Sequence, residues 1–230
     1  MREIILDTET TGLSPADGHR IVEIGAIELI NHLPTGKTFQ LYLNPGRDMP
    51  KEAEAVHGLS SAFLKDKPSF KSKAAEFLEF IEQSLLIIHN ASFDMAFINA
   101  ELSAAGLESI GNERVLDTLQ IARRTHPMGP NSLDALCKRY GIDNTKRTKH
   151  GALMDAELLA EVYLELIGGR QTAMSLQTQV KAKTTIARDQ AATNKIRPEP
   201  LPSRLTLEEA KSHQRIIAEL GSEALWGSSH

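Results

Sequence analysis

The sequence predicts an α/β fold in which helices flank a mixed sheet. Three strand-like segments follow one another within the first 45 residues. From residue 71 onward, strand and helix patterns alternate, as they do when helices cover a sheet. Of the 230 residues, 41% are hydrophobic, enough material for a sizeable core.

Each element has its own signal. Residues 2–7 ("REIILD") run apolar between polar ends and read as a strand, and "RIVEIGAIELI" (20–30) and "FQLYLNP" (39–45) read as a second and third. In "KSKAAEFLEFIEQ" (71–83), Ala74, Phe77 and Phe80/Ile81 recur at helical spacing and form one face. "LLIIHN" (85–90) is a short buried strand, and a helix follows over 94–105. "VLDTLQIARR" (115–124), "SLDALCKRYG" (132–141) and "ALMDAELLAEVYLELIGG" (152–169) read as helices, the last two stopped by glycine. His89 is assigned to structure and Cys137 to the core face of its helix.

The composition changes after residue 170. Residues 171–230 hold 8 Lys+Arg and 6 Asp+Glu, a net of +2, which leaves 18 against 24, or −6, for residues 1–170. The stretch 171–200, rich in Gln, Thr and Ala with late prolines, reads as a flexible linker. In the tail over 201–230, "TLEEAKSHQRIIAELG" carries a short helix, with Thr206 and Glu209 as a capping box and Gly221 as its stop.

A formal charge of −4 gives no bulk attraction for nucleic acid, although an acidic site can still meet phosphate through bound cations. One cysteine excludes a disulfide framework and fits a reducing compartment. No secretory signal opens the chain, and no apolar run reaches the roughly 20 residues of a membrane helix. A soluble cytoplasmic protein without membrane contact is expected.

The first strand ends in "LDTETTGL". On a strand, residues two apart point to the same side, so Asp7 and Glu9 project together at its C-terminal end. In open α/β sheets ligands bind at that end. Two adjacent carboxylates repel, and a dication is a common resolution; Gly12 lets the backbone approach a ligand closely. Alone, the pair reads more readily as the polar start of an exposed turn. Two further acids change that. "HNASFDMAF" sets Asp94 at a strand-to-helix junction, and "HGALMDAELL" sets His150 five residues before Asp155. On a continuous helix those two would stand about 140° apart, so Gly151 and a loop over 146–151 are needed to turn the imidazole toward the same pocket.

"DTETTG", "NASFD" and "HGALMD", in that order, resemble the three motifs of the DEDDh family of 3′–5′ exonucleases. "EAVHGL", "DTLQIAR" and "NSLDALCKRYGIDNTKRTKHGALMDAELLAEVYLEL" are similar to the family's proofreading branch, the subunits that serve bacterial DNA polymerase III. The resemblance covers residues 3 to 176. It implies a ribonuclease H-like fold with an extended C-terminal tail, an exonuclease domain over 1–170, and two divalent ions, Mg²⁺ or Mn²⁺. It assigns Asp7, Glu9 and Asp155 to one ion and Asp7 with Asp94 to the other, a pairing that stabilises both oxygens of an in-line displacement. Oxygen ligands suit Mg²⁺ and Mn²⁺ better than zinc. It makes His150 the general base, an imidazole being suited to take a proton near neutral pH.

The same resemblance sets Thr10, Thr11, Gly12 and Leu13 around the terminal sugar and base of a frayed 3′ DNA end. Glu52 and His57 also touch the nucleotide, and Phe93 packs near the metals. "QTAMSL" resembles a sliding-clamp-binding motif through Gln171, Met174 and Leu176, with Leu176 where an aromatic is commoner. The tail, tipped by Trp226, implies docking to the polymerase (alpha) subunit. Whether a small accessory subunit joins them is left undecided. Two alternatives stand beside this reading: a freestanding DEDDh nuclease that trims RNA or short oligonucleotides, and a replisome scaffold with a vestigial nuclease centre. The linker and tail speak against the first, the intact set of four acids and histidine against the second.

Overall fold

A computed structural model of the chain describes residues 1–145, 147, 149–168 and 206–220. Among these, five strands form one sheet in the order β3-β2-β1-β4-β5. They are β1 (Arg2–Thr10), β2 (Ile21–Ile30), β3 (Leu33–Tyr42), β4 (Leu85–Ile88) and β5 (Val115–Asp117). β2 lies antiparallel to β1 and to β3, whereas β4 runs parallel to β1 and β5 parallel to β4. The sheet is mixed and flanked by helices, as the sequence predicts.

Helices cover both faces of the central strand, which is why its first half is apolar without alternation. Ile4 and Leu6 join the core that holds Phe77 of α3 (Phe70–Ile81) and Phe97 and Leu102 of α4 (Ala91–Ala105). Ile5 packs on the other face against Ala156, Leu159 and Tyr163 of α7 (Ala152–Leu166). Odd residues of β1 therefore face α7 and even residues face α4. Past Leu6 this parity continues in polar residues: Asp7 and Glu9 in the row toward α7, Thr8 in the row toward α4.

Some boundaries differ from expectation. β1 runs on to Thr10, because its polar end stays paired with β2: Asp7 opposite Gly25 and Glu9 opposite Glu23, with a register shift between Glu9 and Thr10. β3 begins at Leu33 rather than 39; a tight turn at Asn31 and His32 (φ 50° and 67°) folds it onto β2, and its first six residues are exposed. Val115–Asp117, expected to open a helix, is instead the edge strand β5. Three residues are too few to display a period, and pairing with β4 decides their state. Asp117 then caps α5 (Thr118–Thr125), accepting from Leu119 N at 2.9 Å. Two short helices, α1 (Lys51–His57) and α2 (Ser61–Leu64), had no counterpart in the expectation.

Cys137 lies buried on α6 (Leu133–Tyr140) in a cluster shared with α5 and α7, and burial pushes its thiol up to about 11. His89 is bonded at both ring nitrogens, to Thr118 Oγ1 and to the Asn131 carbonyl, each at 2.9 Å.

The chain divides into two units, residues 1–176 and 177–230. Of the second, the structure describes α8 (Leu207–Leu220). Its cap is reciprocal: Glu209 N donates to Thr206 Oγ1 at 3.3 Å, and Thr206 N donates to Glu209 Oε2 at 2.9 Å. The linker over 171–200, with Gln171, Met174 and Leu176, and Trp226 lie outside the described residues. No described helix is long and apolar enough to cross a membrane.

Candidate active site

The site forms where β1 ends and α7 begins, and a glycine on β2 brings the two together. A Cβ at Gly25 would stand 2.1 Å from Leu153 N and 2.2 Å from the Ala152 carbonyl carbon, so only glycine admits the helix start there. Beside it, buried Glu23 accepts from Ala152 N at 3.2 Å and from Gln40 Nε2 at 2.9 Å. That carboxylate satisfies one of the orphan N–H groups of the first turn of α7. Asp155 belongs to the same turn and is buried.

His150 precedes the helix rather than belonging to it. Gly151 is extended (φ −154°, ψ 126°), which frees the imidazole from the 140° separation that a continuous helix would impose. The segment docks on α1: His150 N donates to the Val56 carbonyl at 3.2 Å, and Lys149 lies against Gly58 at the helix end. His150 Nδ1 comes within 3.3 Å of Asp155 Oδ2. One ligand atom each from Glu9, His150 and Asp155 lie within 4.8 Å of one another.

Asp7 and Asp94 stand outside that trio but are joined to it electrostatically. Asp94, in the first turn of α4, reaches the even row of β1 and accepts from Thr8 N (3.1 Å) and Thr8 Oγ1 (2.7 Å). Burial drives its carboxyl up to about 7 against the pull of those bonds. Asp7 is raised well above the ordinary carboxylate range, first by burial, then by the charges of Asp94, Glu9 and Asp155. Glu9 is pushed up to about 8 by burial and by the charges of Asp155 and Glu23. Burial and mutual repulsion thus raise Asp7, Glu9 and Asp94, so that ionising the three together is costly without a cation.

A family model for Exonuclease (RNase_T) matches residues 4–163. The DNA polymerase III subunit epsilon of Rickettsia conorii is 49% identical over 223 residues, covering 96% of each chain. The protein of the same name from Escherichia coli K12 is 42% identical over 239 residues, covering 98% of this chain and 97% of its own. The chain belongs to the exonuclease family, in its subunit epsilon branch. Among solved structures, the nuclease domain of 3′hExo, a DEDDh family member bound to rAMP, superposes with a TM-score of 0.64 at 17% identity, covering 73% of this chain and 92% of that one. That likeness carries the fold. The DEDDh exonuclease family uses divalent metal ions.

Around the acids of this exonuclease, the turn after β1 is tightly tied. Thr10 Oγ1 donates to the Gly12 carbonyl at 2.6 Å, and buried Thr11 Oγ1 meets His19 Nδ1 at 3.1 Å and accepts from Arg20 N at 3.0 Å. At Gly12 a Cβ would lie 2.4 Å from the His19 ring, so here the missing side chain makes room for an imidazole. Leu13 projects from the turn, 85% exposed. Glu52 is exposed in the first turn of α1. His57, at the other end of that helix, is buried; its Nδ1 accepts from Leu59 N at 3.0 Å and its Nε2 makes no hydrogen bond. Burial lowers its pKa. Phe93 is half-buried and packs on Phe97 with ring centroids 5.1 Å apart, which ties it to the core beneath the site.

Sequence reading passes over three residues that shape the exonuclease site: Gly25, Glu23 and Arg147. The guanidinium of Arg147 forks onto Asp155, with Nη2 to Oδ2 at 2.6 Å and Nε to Oδ1. Its Nη1 donates to Asp134 Oδ1 at 2.7 Å and its Nη2 to His150 Nδ1 at 2.7 Å. Arg147 stands in the basic run "TKRTKH", which reads as a solvated loop, yet its side chain is only 7% exposed. Gly25 has a readable signal, a glycine in the middle of an otherwise apolar strand.

Proposed function

We propose that this exonuclease proofreads for a bacterial DNA polymerase III, removing mismatched 3′-terminal nucleotides by two-metal hydrolysis in the cytoplasm. The observation that carries the reading is the meeting of Glu9, His150 and Asp155 at one point, with Asp7 and Asp94 coupled to them by charge.

The donor set fits divalent cations. It is built of carboxylate oxygens, the chemistry of Mg²⁺ and Mn²⁺, and burial and mutual repulsion, which raise Asp7, Glu9 and Asp94, would be relieved by a bound cation. Asp7, Glu9 and Asp155 would hold one ion, and Asp7 with Asp94 the other. Such ions, when bound, stabilise the charge on the attacking and leaving oxygens of the phosphodiester.

The protein's own groups do the rest. His150, half-exposed beside Asp155, takes the proton of the attacking water. Thr10, Thr11, Gly12 and exposed Leu13 would surround the terminal sugar and base. His57, buried at one end of α1, and Glu52, exposed in its first turn, would touch the nucleotide. Phe93 supports the metal side from the core. A mismatched terminus unpairs at lower cost and so reaches the acids more often.

The tail serves assembly. On α8, Leu207, Ile216 and Leu220 are exposed, an apolar set suited to a polymerase (alpha) subunit. Gln171, Met174 and Leu176 would add a sliding-clamp contact made effective by tethering.

The test is degradation of matched and mismatched primer termini with and without Mg²⁺. Mononucleotides should leave the mismatched 3′ end faster, only with Mg²⁺, and Asp7→Ala should abolish release while the fold is retained. Metal-independent release, or full activity in Asp7→Ala, would refute the reading.

A further inference from the structure

The engagement of Arg147 is selective in a way that bears on catalysis. Its Nε and Nη2 cover both carboxylate oxygens of Asp155 with the planar fork that only a guanidinium offers. The same Nη2 donates to His150 Nδ1. Arginine has no acceptor, so Nδ1 must present its lone pair, and the proton of a neutral ring then sits on Nε2. A base needs a free lone pair. In this arrangement Nδ1 is engaged and Nε2 is already protonated, so one side chain holds both the ligand oxygens of Asp155 and the basic nitrogen of His150.

We propose that Arg147 and a divalent cation compete for Asp155, so that metal loading displaces the guanidinium and at the same stroke frees His150. This rests on the metal reading above. Arg147 is then a positioning residue: it neutralises Asp155 and holds His150 near the site. Asp134, at the start of α6 and 55% exposed, already pairs with Arg147 Nη1 and keeps the displaced guanidinium within reach. Coupling of this kind is reciprocal: metal binding weakens the Arg147–Asp155 pair by the same factor by which the pair weakens metal binding.

The experiment is Mn²⁺ titration of the full chain, followed by the EPR signal of free Mn²⁺, for wild type, Arg147→Gln and Arg147→Lys. Arg147→Gln should bind Mn²⁺ about tenfold more tightly, within the usual range of coupling between sites. Arg147→Lys, which keeps the charge and loses the fork, should fall between. In parallel, Arg147→Gln should melt below wild type in EDTA, and saturating Mn²⁺ should close the gap. Equal or weaker Mn²⁺ affinity in Arg147→Gln, or a melting gap that Mn²⁺ leaves unchanged, overturns the competition while the metal reading survives. Failure of wild type and variant alike to bind Mn²⁺ overturns both.

Discussion

The site has two halves built on different physics. Asp7 and Glu9 sit on the central strand, paired to β2 residue by residue and packed on both faces. Arg147 and His150 sit on a loop held by a few polar contacts: the Val56 carbonyl, Asp134 and Asp155. A strand buried on both faces cannot shift by one residue without turning its core outward, so its carboxylates keep a fixed direction. The loop exchanges hydrogen bonds one at a time, each worth about 1 kcal/mol net. The exonuclease thus keeps the carboxylates of β1 on a rigid element and the imidazole of His150 on an adjustable one.

The comparison can be broken from either side. The largest effect is expected on the loop half, where His150→Ala should cost about 10²–10⁴-fold in the rate of hydrolysis while the melting temperature changes little. A loss of stability comparable to that of a core variant would contradict the loop-borne assignment; single-turnover assays with parallel thermal melts decide it. On the strand half, Gly25→Ala should destabilise by about 1–3 kcal/mol, because its Cβ meets backbone rather than a movable side chain. It should also weaken Mn²⁺ binding as the start of α7, with Asp155, moves away from Glu9. Unchanged stability and unchanged binding would mean that β2 does not set the separation of the two halves.

The smallest effect is one of pH. Glu9 is raised to about 8 in the fold and ionises near its ordinary value when unfolded. Between those values the folded state binds the extra proton, so this group's contribution to stability falls as pH rises from about 4.5 to 8. In EDTA, Glu9→Gln should remove that slope and raise the melting temperature at pH 8 by about 5 °C. Excess Mg²⁺ should reverse the order, since wild type then gains the bound cation. A variant no more stable than wild type at pH 8 in EDTA would show that Glu9 does not carry the strain.

The two halves also differ in how far they could be read beforehand. The apolar row Ile4–Leu6 followed by Asp7 and Glu9 declares both a strand and its charged end, because a short unbroken apolar run and two acids on one side of the strand are visible in the residues themselves. Asp94 is readable as an acid at a strand-to-helix junction and Asp155 as one at the start of an amphipathic helix. Arg147 is not: its burial arises from Asp134 and Asp155, partners 13 and 8 residues away whose approach is set by the packing of α6 and α7. The same holds for Glu23, whose partner Ala152 N is 129 residues distant, and for β5, whose three residues are a strand only because β4 lies beside them. Local pattern reports what a segment does alone, and these features depend on what folds against it.

The central claim is that buried carboxylates gathered at the end of β1 exist to hold divalent cations. Diffraction from crystals grown with Mn²⁺, recorded where manganese scatters anomalously, tests it most directly. The account predicts two anomalous peaks in the cavity, one contacting Asp7, Glu9 and Asp155 and the other Asp7 on the side of Asp94, with Arg147 withdrawn from Asp155. A cavity without anomalous density at saturating Mn²⁺, with the guanidinium still forked on Asp155, would contradict it.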